Sequence, residues 1–227
     1  MVKGAFLEPG EITICWTSFC LQISIMLCAK GIFGYIIFNQ INELQIYEDV
    51  LIFTTFTQLF HIKMTIQIRN YTAADCPAIL VIINEAILTS TALYDYHPRT
   101  LEQQIAIFED KISKDFPIIV AEENNQVIGF GYYSEFRFRE AYKFTVEHSV
   151  YADKNYIGKG IGKLVLSELI QLAKAQKMHT MIGVIDSENL NSISFHEKFG
   201  FEEVGYIKES GYKFDRWLDS VFMQKIL

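Results

Sequence analysis

The sequence has few cysteines, few prolines and no excess of positive charge. Its four cysteines, Cys15, Cys20, Cys28 and Cys76, lack the C-x-x-C spacing and the histidine partners of a zinc site, and they indicate no disulfide framework. The 27 Asp and Glu residues outnumber the 20 Lys and Arg residues, so the net charge of -7 creates no general attraction for nucleic acid or anionic lipid. We therefore expect a cytoplasmic protein without a bound metal or a nucleic-acid partner.

The remaining composition is that of a globular protein. Half of the 227 residues are apolar, 21% are charged and 14% are aromatic. These proportions exclude disordered, collagen-like and coiled-coil proteins. The length allows one domain with an extension, or two small domains.

Residues 1–63 differ from the rest of the chain, because they hold three of the four cysteines and only eight charged residues. The 18 residues from Ile12 to Ala29 carry no charge and could span a membrane by length alone. Polar residues inside this run, Lys30 directly after it, and the lack of a basic leader or a cleavage site argue against an anchor. We expect no membrane association.

A self-sufficient domain pattern begins at Met64. All the motifs discussed below lie beyond this residue. We therefore interpret residues 1–63 as an apolar extension that is dispensable or begins at a mis-assigned start, and we expect residues 64–227 to fold and function without it.

Hydrophobic periodicity from Met64 onward predicts an α/β (α+β) domain with a mixed sheet. The first elements are a strand at 66–68, a helix capped by Asp75, and a second helix opened by the capping box of Thr100 and Gln103. The later elements are a hairpin of 117–121 and 127–133, a strand over 142–151, a long helix from Ile161, a strand at 181–185, a short helix at 192–199 and strands at 201–207 and 221–226.

A glycine-rich segment precedes the long helix, where free N–H groups and the helix dipole favour a phosphate. It is neither a dinucleotide fingerprint, which requires glycine where Lys163 stands, nor a Walker loop, which requires glycine where Ile157 stands. Three glycines that merely shape a turn are the alternative for the loop taken alone. Its residues are Gly158, Lys159, Gly160, Ile161, Gly162 and Lys163.

Together with other motifs, this loop resembles the GNAT superfamily of N-acetyltransferases, and within it the phosphinothricin and methionine sulfone or sulfoximine acetyltransferases. The resemblance covers 64–227 and is carried by EFR at 135–137, TVEHSVY at 145–151, ADKNYIGKG at 152–160, SFHE at 194–197 and KFDRWLD at 213–219. It implies a mostly antiparallel mixed sheet with helices on both faces, a splayed central strand pair, and a homodimer. Asn155 departs from the usual Gln or Arg, and Asp215 from a common Gly.

The resemblance also implies acetyl-CoA as co-substrate. The pyrophosphate would bind the segment Gly158 to Lys163, and the pantetheine amides would pair with the strand edge at Val150, Tyr151 and Ala152. Asn189 would supply a polar contact from the next βα loop.

Acetylation of an amine requires removal of a proton, because an aliphatic ammonium has a pKa near that of Lys. Strand alternation places Glu147 on the face opposite Val146 and His148. Read alone, a strand Glu is most often a solvated side chain; with the motif around it, we interpret Glu147 as the general base. By resemblance, His196 is the acid for the departing thiolate. His148 is interpreted as a buried, hydrogen-bonded core histidine.

The acceptor would be a small amino-acid analogue. Arg137, Arg139 and Tyr142 resemble the substrate-binding stretch of the family, and a guanidinium can bind a carboxylate through two hydrogen bonds. A pair of surface arginines is the alternative interpretation. Two further functions remain open, namely a non-catalytic acyl-CoA-binding regulatory module, and an acetyltransferase for a protein N-terminus or a polyamine.

Overall fold

The computed structural model describes residues 24–29, 32–37 and 66–227. The chain divides into two compact units, Met1–Lys63 and Met64–Leu227, at the boundary where the composition changes. In the first unit, β1 (Ser24–Ala29) and β2 (Ile32–Ile37) pair antiparallel. The other residues of the uncharged run from Ile12 to Ala29 lie outside the described residues. None of the described helices is long and apolar enough to cross a membrane.

The second unit is built on a seven-stranded sheet with the order β3-β4-β5-β6-β7-β9-β8. All neighbouring strands are antiparallel except β6 and β7, which are parallel. The strands are β3 (Gln67–Asn70), β4 (Ile118–Glu123), β5 (Gln126–Glu135), β6 (Thr145–Ala152), β7 (Thr180–Asp186), β8 (Glu202–Lys213) and β9 (Arg216–Ile226).

Helices cover both faces of this sheet. Helices α1 (Cys76–Thr89) and α2 (Leu101–Ser113) pack on the face that we call the front, where they bury Phe130 and Tyr151. Helices α3 (Ile161–Ala175) and α4 (Leu190–Glu197) pack on the back face, where they bury Val146 and Met181. The predicted class, a mixed and mostly antiparallel sheet with helices on both faces, is confirmed.

The central strands β6 and β7 diverge after a short paired stretch. Only three register pairs join them, and the last is Glu147 with Ile182, although both strands continue. Asp153 N–H donates to the Ile128 carbonyl at 2.9 Å, which sets the alternation along β6. The N–H and C=O groups of Val150 and Ala152 therefore point away from β5, into the gap between β6 and β7. This gap is the splayed strand pair that the family resemblance implies.

Three predicted strand boundaries are wrong. The strand expected over 142–151 begins only at Thr145, because Glu140–Tyr142 forms a one-turn 3-10 helix. The strands expected at 201–207 and 221–226 extend into one long hairpin. Its turn holds Phe214 and Asp215 at φ values of 53° and 57°. Glycine enters this left-handed region freely, and Asp tolerates it better than most residues, which accounts for the departure from Gly at position 215.

The two predicted helix starts use different local bonds. Thr100 N–H donates to the Gln103 side chain at 2.9 Å, and Gln103 N–H donates to Thr100 Oγ1 at 3.2 Å, so the capping box is confirmed. Asp75 precedes α1 as predicted, but its carboxylate accepts from Arg69 at 2.7 and 2.8 Å and from Thr72 N–H at 2.7 Å. Asp75 therefore ties the start of α1 to β3.

Candidate active site

Glu147 lies on the front face of β6, at the last register pair before β6 and β7 diverge. Its side chain is half-buried. Burial raises the pKa of Glu147, while the positive charges of Arg137 and Lys111 oppose this rise. A carboxylate in this position has a stronger tendency to take up a proton than one in water.

An open groove of about 490 Å³ lies on the front face. Glu147 is not one of its lining residues, but its register partner Ile182 is. Thr145 and Thr180, which face each other across β6 and β7, form part of its floor, together with Ile182. The segment after β5 forms one wall, and residues of β8 and β9 complete the lining: Phe136, Arg137, Tyr142, Val204, Gly205, Tyr206, Ile207, Phe222 and Gln224.

The three residues predicted to bind the acceptor do not share one position. Arg137 and Tyr142 line the groove, and both contact Phe136: the guanidinium lies 4.4 Å from its ring centre and the Tyr142 ring 5.9 Å. Arg139 lies over Phe138 instead, at 5.1 Å, and is not among the groove residues. The bend of the segment after β5 separates the two arginines, which an extended chain would have pointed to one side.

His196 lies on α4 and is buried, with its Nδ1 2.6 Å from the Ser192 carbonyl oxygen. A carbonyl can only accept, so Nδ1 carries the hydrogen and Nε2 of the neutral ring presents a lone pair. Burial lowers the pKa of His196, which favours this neutral form at pH 7. In this form Nε2 can accept a proton, and it can donate one only after protonation.

His148 stacks against His196 on the back face, with ring centres 5.1 Å apart. It is 7% exposed, as expected for a core histidine, and burial lowers its pKa to about 3. Neither ring nitrogen has a hydrogen-bond partner in the described part of the chain, so the expected hydrogen bonds are not made to protein groups. A Cβ at Gly183 would lie 3.1 Å from Nε2 of His148 and 3.2 Å from Nε2 of His196. Glycine at this position of β7 leaves room for both rings.

The glycine loop forms an open N-terminus for α3. Gly158 and Gly160 have φ values of 82° and 83°, and an added Cβ at either would meet nothing within 4 Å. The first main-chain bond of the helix runs from Leu164 N–H to the Gly160 carbonyl. The preceding N–H groups, those of Ile161, Gly162 and Lys163, therefore point out of the helix, where they can bind an anion.

Three predicted cofactor contacts serve local structure. Lys159 N–H donates to the Tyr156 carbonyl at 3.2 Å. Asn189 accepts from Ser192 N–H at 3.0 Å and so caps α4. Tyr151 turns its ring into the front core, 5.0 Å from Phe130, which leaves only its main chain near the gap. Asn155 binds Asp153 Oδ1 through its N–H and its side-chain amide, so the atypical residue stabilises a turn.

The gap and the helix N-terminus together fit acetyl-CoA. Strand β6 ends at Ala152, and the chain then continues through the glycine loop into α3. An extended ligand could hydrogen-bond along the β6 edge at Val150 and Ala152 while its anionic end meets the N–H groups of α3. Within 66–227, no group of three or more His, Cys, Asp or Glu side chains is arranged to hold a metal ion.

Lys111 is a site residue that the sequence analysis missed. It lies on α2 with Nζ 4.5 Å from the centre of the Tyr132 ring, and burial lowers its pKa. Position 111 is three residues after Phe108 and seven after Gln104, both buried, and therefore lies on the packed side of the helix. The sequence signal that could have identified Lys111 is the position of a lysine on the buried face of an amphipathic helix.

Comparison with known proteins agrees with this geometry. The acetyltransferase (GNAT) family model matches residues 83–201. The chain is 40% identical over 162 residues to an L-methionine sulfoximine/L-methionine sulfone acetyltransferase of Pseudomonas aeruginosa, an alignment that covers 71% of this chain and 94% of the relative. The chain belongs to the GNAT acetyltransferase family.

Among the solved structures that resemble this chain are two acetyltransferases. One is a phosphinothricin acetyltransferase from Sinorhizobium meliloti in complex with acetyl-CoA, with a TM-score of 0.70 and 40% identity, covering 72% of this chain and 89% of that one. The other is a ribosomal-protein-alanine N-acetyltransferase from Brucella melitensis, with a TM-score of 0.70 and 42% identity, covering 71% and 99%.

The N-terminus of α3 yields a test of the cofactor site. Gly160→Val forces a β-branched residue into the left-handed conformation and displaces the loop. We expect the KM for acetyl-CoA to rise by about tenfold or more, and the KM for the amine to change by less than about twofold. Steady-state kinetics with each substrate varied in turn measures both values.

Gly200→Val is the matched control, because Gly200 also has a positive φ, of 76°, but follows α4. It should lower stability without changing the KM for acetyl-CoA. An unchanged KM for acetyl-CoA in folded Gly160→Val would remove the loop from the cofactor site.

Proposed function

We propose that this protein acetylates the α-amino group of a small amino-acid analogue with acetyl-CoA. The observation that carries the proposal is the position of Glu147. It lies half-buried on the front face at the last register pair before β6 and β7 diverge, and its register partner Ile182 lines the groove. Arg137 also lines the groove, and its positive charge acts on the Glu147 carboxyl. A base, a cation for a carboxylate and an opening for a thioester thus meet in one place.

The co-substrate would be held mainly by main-chain groups. Val150 and Ala152 would bind the pantetheine amides at the β6 edge, and the N–H groups of Ile161, Gly162 and Lys163 would bind the pyrophosphate. Acetyl-CoA supplies the acetyl group as a thioester. The chain has to orient the two substrates, exclude water and move protons.

Glu147 would accept a proton from the acceptor ammonium, directly or through a water, so that the neutral amine can attack. A thiol has a pKa of about 8.5, so the leaving thiolate needs little help from an acid. The neutral form of His196 presents a lone pair at Nε2, so His196 would have to take up a proton before it could pass one to the thiolate. Loss of His196 should therefore cost less activity than loss of Glu147.

The names of the relatives support an amino-acid-like acceptor. Methionine sulfoximine, methionine sulfone and phosphinothricin each combine an α-amine and a carboxylate with further oxygen atoms. Arg137 and Tyr142 line the groove beside Glu147 and would bind this carboxylate, while Arg139 lies farther along the segment.

We propose a cytoplasmic enzyme with no metal and no nucleic-acid or membrane partner.

Two other functions make different demands on the site. A non-catalytic acyl-CoA-binding module needs the loop at α3 but no groove with Glu147 and Arg137. The Brucella structure carries the name of a ribosomal-protein-alanine N-acetyltransferase, so a protein N-terminus stays a second candidate acceptor beside a polyamine. Release of free thiol with each acceptor separates the three possibilities.

Replacing the proposed base gives the main test of the mechanism. Glu147→Gln keeps the shape of the side chain but cannot accept the proton, so kcat at pH 7 should fall by about 10²- to 10⁴-fold. The deficit should shrink toward about pH 9 to 10, where the amine loses its proton to water unaided. Because burial raises the pKa of Glu147, the acid limb of wild-type kcat/KM should lie above the ordinary range of a glutamic acid.

Glu168→Gln, at an exposed position of α3, is the control for the same chemical change and should behave as wild type. The measurement is a pH–rate series with saturating methionine sulfoximine. A Glu147→Gln variant with normal kcat at pH 7, or a deficit that stays constant to high pH, would show that Glu147 is not the base.

The two arginines provide a matched test of acceptor binding. Arg137→Ala should lower kcat/KM for methionine sulfoximine by about tenfold, because a charge-assisted hydrogen bond is lost. Arg139→Ala should change it by less than about twofold, because its guanidinium lies outside the groove. A simple alkylamine, which has no carboxylate, should distinguish neither variant from wild type. Equal losses in both variants would contradict the assignment.

We also propose that the protein is a homodimer through the front face of β8 and β9, which α1 and α2 do not cover. Strand β8 is a 12-residue edge strand. The apolar side chains of Val204 and Ile207, which line the groove, are 54% and 48% exposed. Exposed apolar side chains on an edge strand are often covered by another chain or element. A second subunit would cover these side chains and close the open side of the groove.

Analytical ultracentrifugation at a micromolar protein concentration measures the oligomeric state. We expect a dimer for the wild type and a folded monomer for Val204→Asp, because a carboxylate would be desolvated in the interface. Val81→Asp, at a 67% exposed position of α1, should remain a dimer. A monomeric wild type, or a dimeric Val204→Asp variant, would contradict this interface.

A further inference from the structure

Lys213, the last residue of β8, is a buried cation with neutral partners. It is 3% exposed, and its Nζ donates to the carbonyl oxygens of Ser90 at 2.8 Å and Leu93 at 2.5 Å. Burial lowers the pKa of Lys213, and the negative charge of Asp95 opposes this shift. A buried ammonium is costly, so the two carbonyl groups that it binds indicate a specific role.

Both carbonyl groups belong to the segment that follows α1. Ser90 is the C-terminal cap of this helix, so the ammonium also faces the negative end of the helix dipole. Leu93 lies three residues farther along residues 90–100, which we call the α1–α2 loop. Lys213 therefore ties the end of β8 to a loop more than one hundred residues earlier in the chain, the Ser90 contact spanning 123 positions.

Two tyrosines of the α1–α2 loop reinforce this attachment. Tyr94 Oη lies 3.0 Å from Ser220 Oγ, and the Tyr94 ring packs so closely on Gly211 that a Cβ there would lie 2.4 Å from it. Tyr96 donates to the Tyr212 carbonyl. The loop is thus held against the β8–β9 hairpin at three places.

The attachment lies beside the groove. Val221 and Met223 belong to the back core, so Ser220 and Phe222 point to the front face. Phe222 lines the groove, and Tyr94 contacts Ser220 two residues away on the same strand. The α1–α2 loop therefore lies against the front face next to the groove, whereas Arg137 and Tyr142 come from a different segment.

We propose that Lys213 is a positioning residue that holds the α1–α2 loop against the β8–β9 hairpin, next to the acceptor groove, and thereby sets the affinity for the acceptor. This inference rests on the proposed function, because it takes the groove to be the acceptor site. Lys213 itself touches neither substrate. Without its ammonium, two carbonyl groups lose their donor and the loop loses its attachment at the end of α1.

The test is Lys213→Met, which keeps the length of the side chain and removes the donor. We expect the KM for methionine sulfoximine to rise by about tenfold, with kcat and the KM for acetyl-CoA within about twofold of wild type. Amide hydrogen exchange should accelerate in the α1–α2 loop but not at the start of α3. A purely structural role would lower the melting temperature and leave the KM for the acceptor unchanged.

Lys225→Met is the matched control, because Lys225 Nζ also donates to a carbonyl, that of Phe199 at 2.7 Å, away from the α1–α2 loop. It should lower stability without raising the KM for the acceptor. If Lys213→Met does not fold, the KM for the acceptor is measured for Tyr94→Phe instead. This variant removes only the hydrogen bond to Ser220 and should raise the KM for the acceptor by about threefold.

The activity of the wild type distinguishes a failure of the proposed function from a failure of the role proposed for Lys213. If the wild type releases no thiol with any acceptor, the proposed function fails, and the groove loses its role as an acceptor site. If the wild type turns over and the folded variant keeps its KM for the acceptor, or loses affinity equally for both substrates, the role of Lys213 is contradicted while the proposed function stands.

Discussion

The site depends on the divergence of β6 from β7 after three paired residues. Parallel strands that stayed paired would use the main-chain groups of Val150 and Ala152 in their own ladder. Because the strands separate, these groups are available to a ligand, and the gap leads through the sheet from the front face to the back. Glu147 lies at the last paired position, so it borders the gap while its backbone is still fixed by neighbours on both sides.

The titratable side chains near the divergence lie on both faces of the sheet. Glu147 lies on the front face, where the positive charges of Arg137 and Lys111 oppose the rise that burial causes in its pKa. His148 and His196 lie on the back, where burial keeps both rings neutral. Gly183 of β7 leaves the space in which their Nε2 atoms approach the strand. Burial thus acts in opposite directions on the pKa values of the acid and the imidazoles, because it disfavours the charged form of each.

The sequence predicts the parts of the structure that depend on neighbouring residues. The capping box of Thr100, the glycine loop before α3 and the tight turn at Asn124 and Asn125 are all local, and each is encoded within a few positions. Alternation along β6 also places Glu147 on the face opposite His148. Strand ends were predicted less well, because the 3-10 turn before β6 and the length of the β8–β9 hairpin depend on what packs against them.

The groove was not predictable from local pattern, because its walls come from the segment after β5 and from β8 and β9. The separation of Arg137 from Arg139 follows from a bend that alternation cannot foresee. Lys213 stands in a motif that was recognised, but its partners are distant in sequence, and only the fold brings them together. Side chains whose roles depend on long-range contacts are those that the sequence left unassigned.

Residue-resolved amide hydrogen exchange, with and without acetyl-CoA, tests most directly whether the gap holds the co-substrate. The account predicts that acetyl-CoA slows exchange at Val150 and Ala152, whose N–H groups point into the gap, and at Ile161, Gly162 and Lys163. Tyr151 and Ser149, whose N–H groups are directed to β5, should change little. Slowed exchange elsewhere, with Val150 and Ala152 unaffected by saturating acetyl-CoA, would contradict it.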